Sequence, residues 1–384
     1  MTSRLQSIFQ SFRKRSAYHS YSPHKTKVID AISRCRTPQM GGFAQHCSNC
    51  NYTETHFHSC RNRHCPICQG SNQHKWVEKQ VANTLPLPYF HAVFTLPSEL
   101  NTLILANPVK LYNLLFKAAS KTILTLSMDK KFLGGQPGFT TVLHTWGRNL
   151  QFHPHLHCIV AGGCLSTNKN SFIKSKDTFF LPVSVMKVVF RGKFLQELKT
   201  LFIHDRLVLP DALSSVDQRQ KLLDKLYNVD WITYCKKPFD DASHVIRYLG
   251  RYTHKVAISE SRIVSYDPEA QKVCFNWKDY KNQNKIKTME LSEKEFVRRF
   301  LLHVLPSRFM KIRHYGFLAN KGRKDRLELC RRLLNVIFNK AIDLVKAKLV
   351  EPLSCCPKCG SSSFDFLFPE RGHNTEAFAS GGSP

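Results

Sequence analysis

The chain has 384 residues, with 57 Lys or Arg against 28 Asp or Glu, for a formal net charge of +29. Its length accommodates two or three domains with buried cores, and a hydrophobic fraction of 42% excludes a wholly disordered chain. The charge excess points to a polyanion as partner, most simply nucleic acid, and no apolar run approaches the ~20 residues that span a bilayer.

Residues 1–32 contain no acid before Asp30, and Arg4, Arg13, Lys14 and Arg15 lie beside Leu5, Ile8, Phe9 and Phe12. This pattern predicts a basic helical arm suited to DNA. No apolar stretch with a small-residue cleavage site opens the chain, so a cytoplasmic, nucleoid-associated location is expected. Fourteen cysteines in such a chain point to metal rather than disulfides.

Residues 33–84 are poor in core residues and rich in cysteine, which predicts a zinc-binding domain. Cys47 and Cys50 form one C-x-x-C knuckle, and Cys65 and Cys68 form a second after fourteen intervening residues. Two knuckles supply four thiolates for one tetrahedral, structural Zn²⁺. Cys35, Cys60 and His64 are close enough in sequence to replace one ligand.

Residues 85–267 are mixed α and β. The segments "FHAVFTL", "FTTVLHTW" and "HLHCIVAGG" read as strands, and 109–128 reads as a helix with Leu111, Leu115, Ala118 and Thr122 on one stripe. Together they predict an α+β core built on one sheet. Within "HPHLHCIV", strand alternation sets His155 and His157 on one face and turns Leu156, Cys158 and Val160 to the core. Downstream, "YLGRY" spaces Tyr248 and Tyr252 four apart, which stacks them on one helical face. Two imidazoles, two phenols and a strong positive charge suggest one reaction class. A tyrosine attacks a DNA phosphodiester while a metal on the histidines polarises the phosphate.

Residues 268–350 read as a basic DNA-binding region ending in a helix over about 326–349. Residues 298–332 alone carry eleven Lys or Arg against two acids, interleaved with Phe300, Phe309, Tyr315 and Phe317. Such a mixture suits base stacking and phosphate tracking. Residues 351–384 hold "CCPKCG" and then a Ser/Gly-rich tail expected to be disordered. Cys355, Cys356 and Cys359 make half a metal site, which needs His373, Cys330 or a distant partner to complete it.

These motifs resemble the HUH endonuclease superfamily, and within it the two-tyrosine rolling-circle insertion-sequence transposases. The resemblance rests on "FHAVFTLP", "HPHLH" and "YLGRY" in that order, preceded by the cysteine-rich "CRNRHCPIC", and it covers all but about residues 1–30 and 361–384. It implies an HUH-type antiparallel sheet sandwiched by helices, preceded by a small zinc-binding domain and followed by a basic helical region. It further implies Mg²⁺ or Mn²⁺ on His155 and His157, with His144, Gln151 or His153 as a third ligand and His144 preferred. Tyr248 and Tyr252 would form 5′-phosphotyrosine links with single-stranded or hairpin DNA at transposon ends. Two rival readings are a plasmid replication initiator or relaxase with the same chemistry, and a zinc-dependent DNA-binding protein without chemistry.

Overall fold

The elements follow the apolar periodicity of the chain closely. In order they are α1 (Arg4–Arg13), α2 (Pro23–Arg34), β1 (Gly42–Cys47), β2 (Thr53–Phe57), α3 (Gly70–Val81) and β3 (Tyr89–Thr95). Next come α4 (Asn101–Ala106), α5 (Pro108–Met128), β4 (Gly135–Trp146), β5 (Phe152–Ser166), β6 (Phe172–Lys174), α6 (Val183–Ile203) and α7 (Val216–Asn228). The rest are β7 (Thr233–Phe239), β8 (Ile263–Asp267), β9 (Lys272–Asp279), β10 (Lys285–Ser292), α8 (Glu293–Leu302), β11 (Ile312–Gly316), α9 (Arg323–Leu333) and β12 (Phe364–Leu367). This computed structural model describes residues 3–15, 18, 20–81, 83–176, 180–239, 250, 257–279, 282–334 and 355–367. Among the described residues, no helix is long and apolar enough to cross a membrane.

The chain forms two units, both discontinuous in sequence. One comprises Met1–Asn72, His254–Leu301 and Lys340–Pro384; the other comprises Gln73–Thr253 and Leu302–Asn339. The linear division at 32, 84, 267 and 350 therefore does not coincide with them.

In the first unit, α1 starts at Ser3, whose hydroxyl accepts from the Gln6 N–H at 3.2 Å. Leu5, Ile8, Phe9 and Phe12 are buried, as are Val28, Ile29 and Ile32 of α2. Phe9 meets Phe300 of α8 edge-on, with ring centroids 5.0 Å apart. The expected DNA-binding arm is thus a core element. The sequence reveals its apolar stripe, but the residue that covers it lies almost three hundred positions away. Glu293, at the start of α8, is also buried, and it accepts from Arg15 at 3.0 Å. Two antiparallel three-stranded sheets complete the unit, β12–β1–β2 and β10–β9–β8.

The second unit is built on an antiparallel sheet in the order β11–β4–β5–β3–β7, with β6 beside β5. One sheet face, including Phe90, Phe94, Leu143, Leu156, Cys158 and Val160, packs with Leu111, Leu115 and Phe116 of α5 and Phe190 and Phe194 of α6. Part of the opposite face, Tyr89, Ile159, Ala161 and Leu165, packs with Phe317 and with Leu327 and Cys330 of α9. Gly138 on β4 lets the Phe317 ring close down there, since a Cβ would meet that ring at 2.2 Å. The result is the expected α+β arrangement of antiparallel strands between helices.

The region 268–350 differs from the expected helical one. It contains β9, β10 and β11 as well as α8 and α9, because Val273 and Phe275 alternate inward with strand periodicity. The four aromatics expected to stack on bases are not offered to them: Phe300 and Phe317 are fully buried, Phe309 is 6% exposed, and Tyr315 stacks on Phe139 with centroids 5.1 Å apart. Several of its cations have structural partners, such as Arg313 over the Phe116 ring and Arg326 on the Phe317 and Ala319 carbonyls.

Candidate metal centres

The sheet face left uncovered by α9 carries histidines. His144 of β4 pairs directly with His155 of β5, and Val142 pairs with His157. His144, His155 and His157 each offer a ring nitrogen, all within 4.8 Å of one another. His155 Nε2 and His157 Nε2 are 3.1 Å apart. The register shifts between His144 and Trp146, so the chain is irregular across His153 and Pro154. His153 and Gln151 are exposed and stand outside the group, while His144 is 2% exposed within it. Trp146 stacks on the His144 ring with centroids 4.6 Å apart and backs that imidazole.

Hydrogen bonds fix which nitrogens face one another. His155 Nδ1 lies 2.6 Å from the His153 carbonyl. A carbonyl only accepts, so Nδ1 carries the proton and Nε2 presents its lone pair. His157 Nδ1 lies 2.8 Å from His91 Nε2 on the neighbouring strand β3. Burial lowers the His155 pKa to about 4. It holds His157 well below the usual range, with His144, His155 and His91 adding like-charge repulsion. The neutral imidazole, the form that ligates metal, is therefore the resting form at neutral pH. His91 was not singled out in the sequence, because one histidine in an apolar strand gives no periodic signal.

An all-imidazole donor set suits transition metals better than Mg²⁺, which prefers oxygen ligands, so Mn²⁺ is the better fit of the two ions expected. Tyr248 and Tyr252 lie outside the described residues. Gly250 between them is described and buried, and an added Cβ there would meet Val77 Cγ2 of α3 at 2.2 Å.

The fourteen cysteines form no disulfide. Eight of them make two groups of four: Cys35, Cys60, Cys65 and Cys68, and Cys47, Cys50, Cys356 and Cys359. The single site expected from Cys47, Cys50, Cys65 and Cys68 is thus divided. The reason is the hairpin between its two knuckles. Its register runs from Gly42–Phe57 to His46–Thr53, which separates its ends by roughly 13 Å at ~3.3 Å per residue. Cys47 and Cys50 sit at the turn end. The following loop instead returns to the end of α2, where the Cys60 N–H points at Cys35 Sγ at 3.5 Å. Cys35 and Cys60, foreseen as substitutes for one ligand, together replace two. His64 is buried but outside the group.

Residues 4–96 match the model of a transposase zinc-binding domain, and residues 138–326 match that of a putative transposase. Putative transposase y4qJ of Sinorhizobium fredii is 42% identical over 325 residues, covering 84% of this chain and 81% of that protein. The transposase for insertion sequence element IS801 of Pseudomonas savastanoi pv. phaseolicola is 27% identical over 306 residues, covering 77% of this chain and 71% of its own. No solved structure matches. The chain belongs to the family of insertion-sequence transposases that carry a transposase zinc-binding domain at the N-terminus.

Proposed function

We propose that this transposase nicks and rejoins single-stranded DNA at the ends of its element, in rolling-circle fashion, through Tyr248 and Tyr252. The observation that supports this reading is the convergence of three buried or half-buried imidazoles, His144, His155 and His157, on adjacent antiparallel strands. These residues would hold the divalent ion. Bound there, the ion supplies Lewis-acid polarisation of the scissile phosphate.

The protein groups do the rest. A tyrosine phenol, with an ordinary pKa of ~10, loses its proton to solvent as its oxygen attacks phosphorus. A Tyr–O–P bond forms on the 5′ side and the P–O3′ bond breaks. The departing 3′ oxygen takes a proton from solvent and becomes a hydroxyl. The phosphoester is conserved, so attack by a 3′-hydroxyl on the link rejoins strands without ATP. With two tyrosines, one can hold the first cleaved end while the other opens the next.

The net charge of +29 suits the protein to a DNA partner. Base stacking passes from the buried phenylalanines to the β9–β10 hairpin, where Trp277 is half-buried beside Lys287 and Ile286 is exposed. A cytoplasmic location, beside the DNA it acts on, goes with this reading. The test is cleavage of a labelled oligonucleotide carrying the element's end, compared with a plasmid origin, in Mn²⁺. Selective nicking of the element end, lost in His155→Ala and His157→Ala, supports the proposal. Nicking of the origin alone favours a replication initiator, and binding without nicking favours a regulator.

A further inference from the structure

The residues Cys47-Ser48-Asn49-Cys50-Asn51 and Cys356-Pro357-Lys358-Cys359-Gly360 adopt the same loop. In each, the N–H after the second cysteine donates to the carbonyl of the first: Asn51 to Cys47 at 3.0 Å, and Gly360 to Cys356 at 2.8 Å. In each, the first cysteine's N–H donates to the carbonyl two residues beyond the second: Cys47 to Tyr52 at 2.8 Å, and Cys356 to Ser361 at 2.7 Å. The residue that reverses the chain is left-handed in both, with φ +57° at Asn51 and +75° at Gly360. Asn and Gly are the residues that tolerate this conformation.

The two loops face each other. Cys50 Sγ lies 3.6 Å from Cys356 Sγ, and Cys47 Sγ lies 3.7 Å from Cys359 Sγ. A regular tetrahedron with Zn–S bonds of ~2.3 Å has sulfur–sulfur edges of about 3.8 Å, whereas a disulfide requires ~2.05 Å. The spacing fits four thiolates about one ion. β12 continues the association, pairing with β1 from Cys47–Phe364 to Ala44–Leu367. It has only four residues, and Phe366 and Leu367 are more than half exposed, so its own burial holds it weakly.

We propose that Cys47, Cys50, Cys356 and Cys359 bind a second structural Zn²⁺, which clasps the C-terminal segment 355–367 onto the N-terminal hairpin. The match to the zinc-binding domain ends at residue 96 and takes in neither Cys356 nor Cys359. Cys355, exposed and outside the group, is not a ligand. This site is independent of the proposed DNA chemistry.

The test is titration of the full-length, metal-stripped protein with Co²⁺, followed through the sulfur-to-metal charge-transfer bands of tetrathiolate sites. A third ion on the imidazoles gives no such band. Wild type and Cys355→Ser are expected to take two sulfur-bound ions per chain, displaced by two Zn²⁺. Cys356→Ser/Cys359→Ser, and separately Cys47→Ser/Cys50→Ser, are expected to take one, as is the variant with all four replaced. One sulfur-bound ion in wild type overturns the proposal whether or not the variants fold. Two in Cys356→Ser/Cys359→Ser also overturn it.

Discussion

His91 Nε2 lies 2.8 Å from His157 Nδ1, and the two near-parallel rings are 5.0 Å apart between centroids. For His157 Nε2 to present a lone pair to an ion, its Nδ1 must carry the proton and donate it to His91. In the proposed ion site His91 would thereby select the tautomer and orientation of His157, while standing outside the group of three imidazoles. Replacing such an outer partner weakens metal binding by about 10- to 100-fold. His91→Phe is expected to weaken Mn²⁺ binding by that factor in a calorimetric titration, with the fold intact by circular dichroism. Unchanged affinity would remove His91 from the site.

The depressed pKa values set a pH window. A ligand histidine at its ordinary pKa would lose Mn²⁺ to protons as the pH fell through about 6.5. Burial brings His155 down to about 4 and holds His157 well below the usual range, so both stay neutral through that interval. Mn²⁺ affinity should stay nearly level from pH 8 to about 5.5 and fall only below it. A break near 6.5 would contradict the geometry.

The same sign governs stability at His303. Its pKa is lowered to about 4 by burial, with Nε2 held 3.2 Å from the Leu150 carbonyl. Between about 6.5 and 4 the unfolded chain binds a proton there that the folded chain does not, so stability present above 6.5 drains away as the pH falls. Metal-free protein should show a falling urea midpoint from pH 7 to 4.5, and His303→Gln should flatten that slope. An unchanged slope in the variant would refute the assignment.

Gly250 gives access to the tyrosine segment. A methyl there would meet Val77 Cγ2 at 2.2 Å, so Gly250→Ala should lower nicking at least tenfold while Mn²⁺ binding is unaffected. Val77→Ala removes the obstructing carbon and should restore activity in the double variant. Failure of that rescue would show that steric crowding at Val77 is not the cause.

Phe9 distinguishes a core helix from a DNA-binding arm. Its ring is fully buried against Phe300, so Phe9→Ala should cost about 3–5 kcal/mol in urea unfolding, whereas exposed Lys14→Ala should change it by less than about 0.5 kcal/mol. A negligible cost at Phe9 would return the helix to the role of an arm.

What the sequence discloses here is local, and what it hides is pairing at a distance. Alternating residues made β3, β4 and β5 legible, and strand parity alone set His155 and His157 together against Leu156 and Cys158. His144 could be preferred as a third member because its segment was the neighbouring strand. The knuckles were equally plain, but their partners were not. An intervening hairpin forces Cys47 and Cys50 away from Cys65 and Cys68, and their actual companions lie some three hundred residues on. The stripe of α1 was visible too, while Phe300, which covers it, was read as a surface for bases. An aromatic among cations looks the same in sequence whether it faces a core or a nucleic acid.

Tyrosine-linked strand transfer can be read from a denaturing gel of the protein incubated with labelled single-stranded end DNA and Mn²⁺. A covalent protein–DNA species is expected that survives Tyr248→Phe alone and Tyr252→Phe alone and vanishes when both are replaced. Its absence from the wild-type protein in Mn²⁺ and Mg²⁺ alike, or its persistence in the double variant, would rule out strand transfer through Tyr248 and Tyr252.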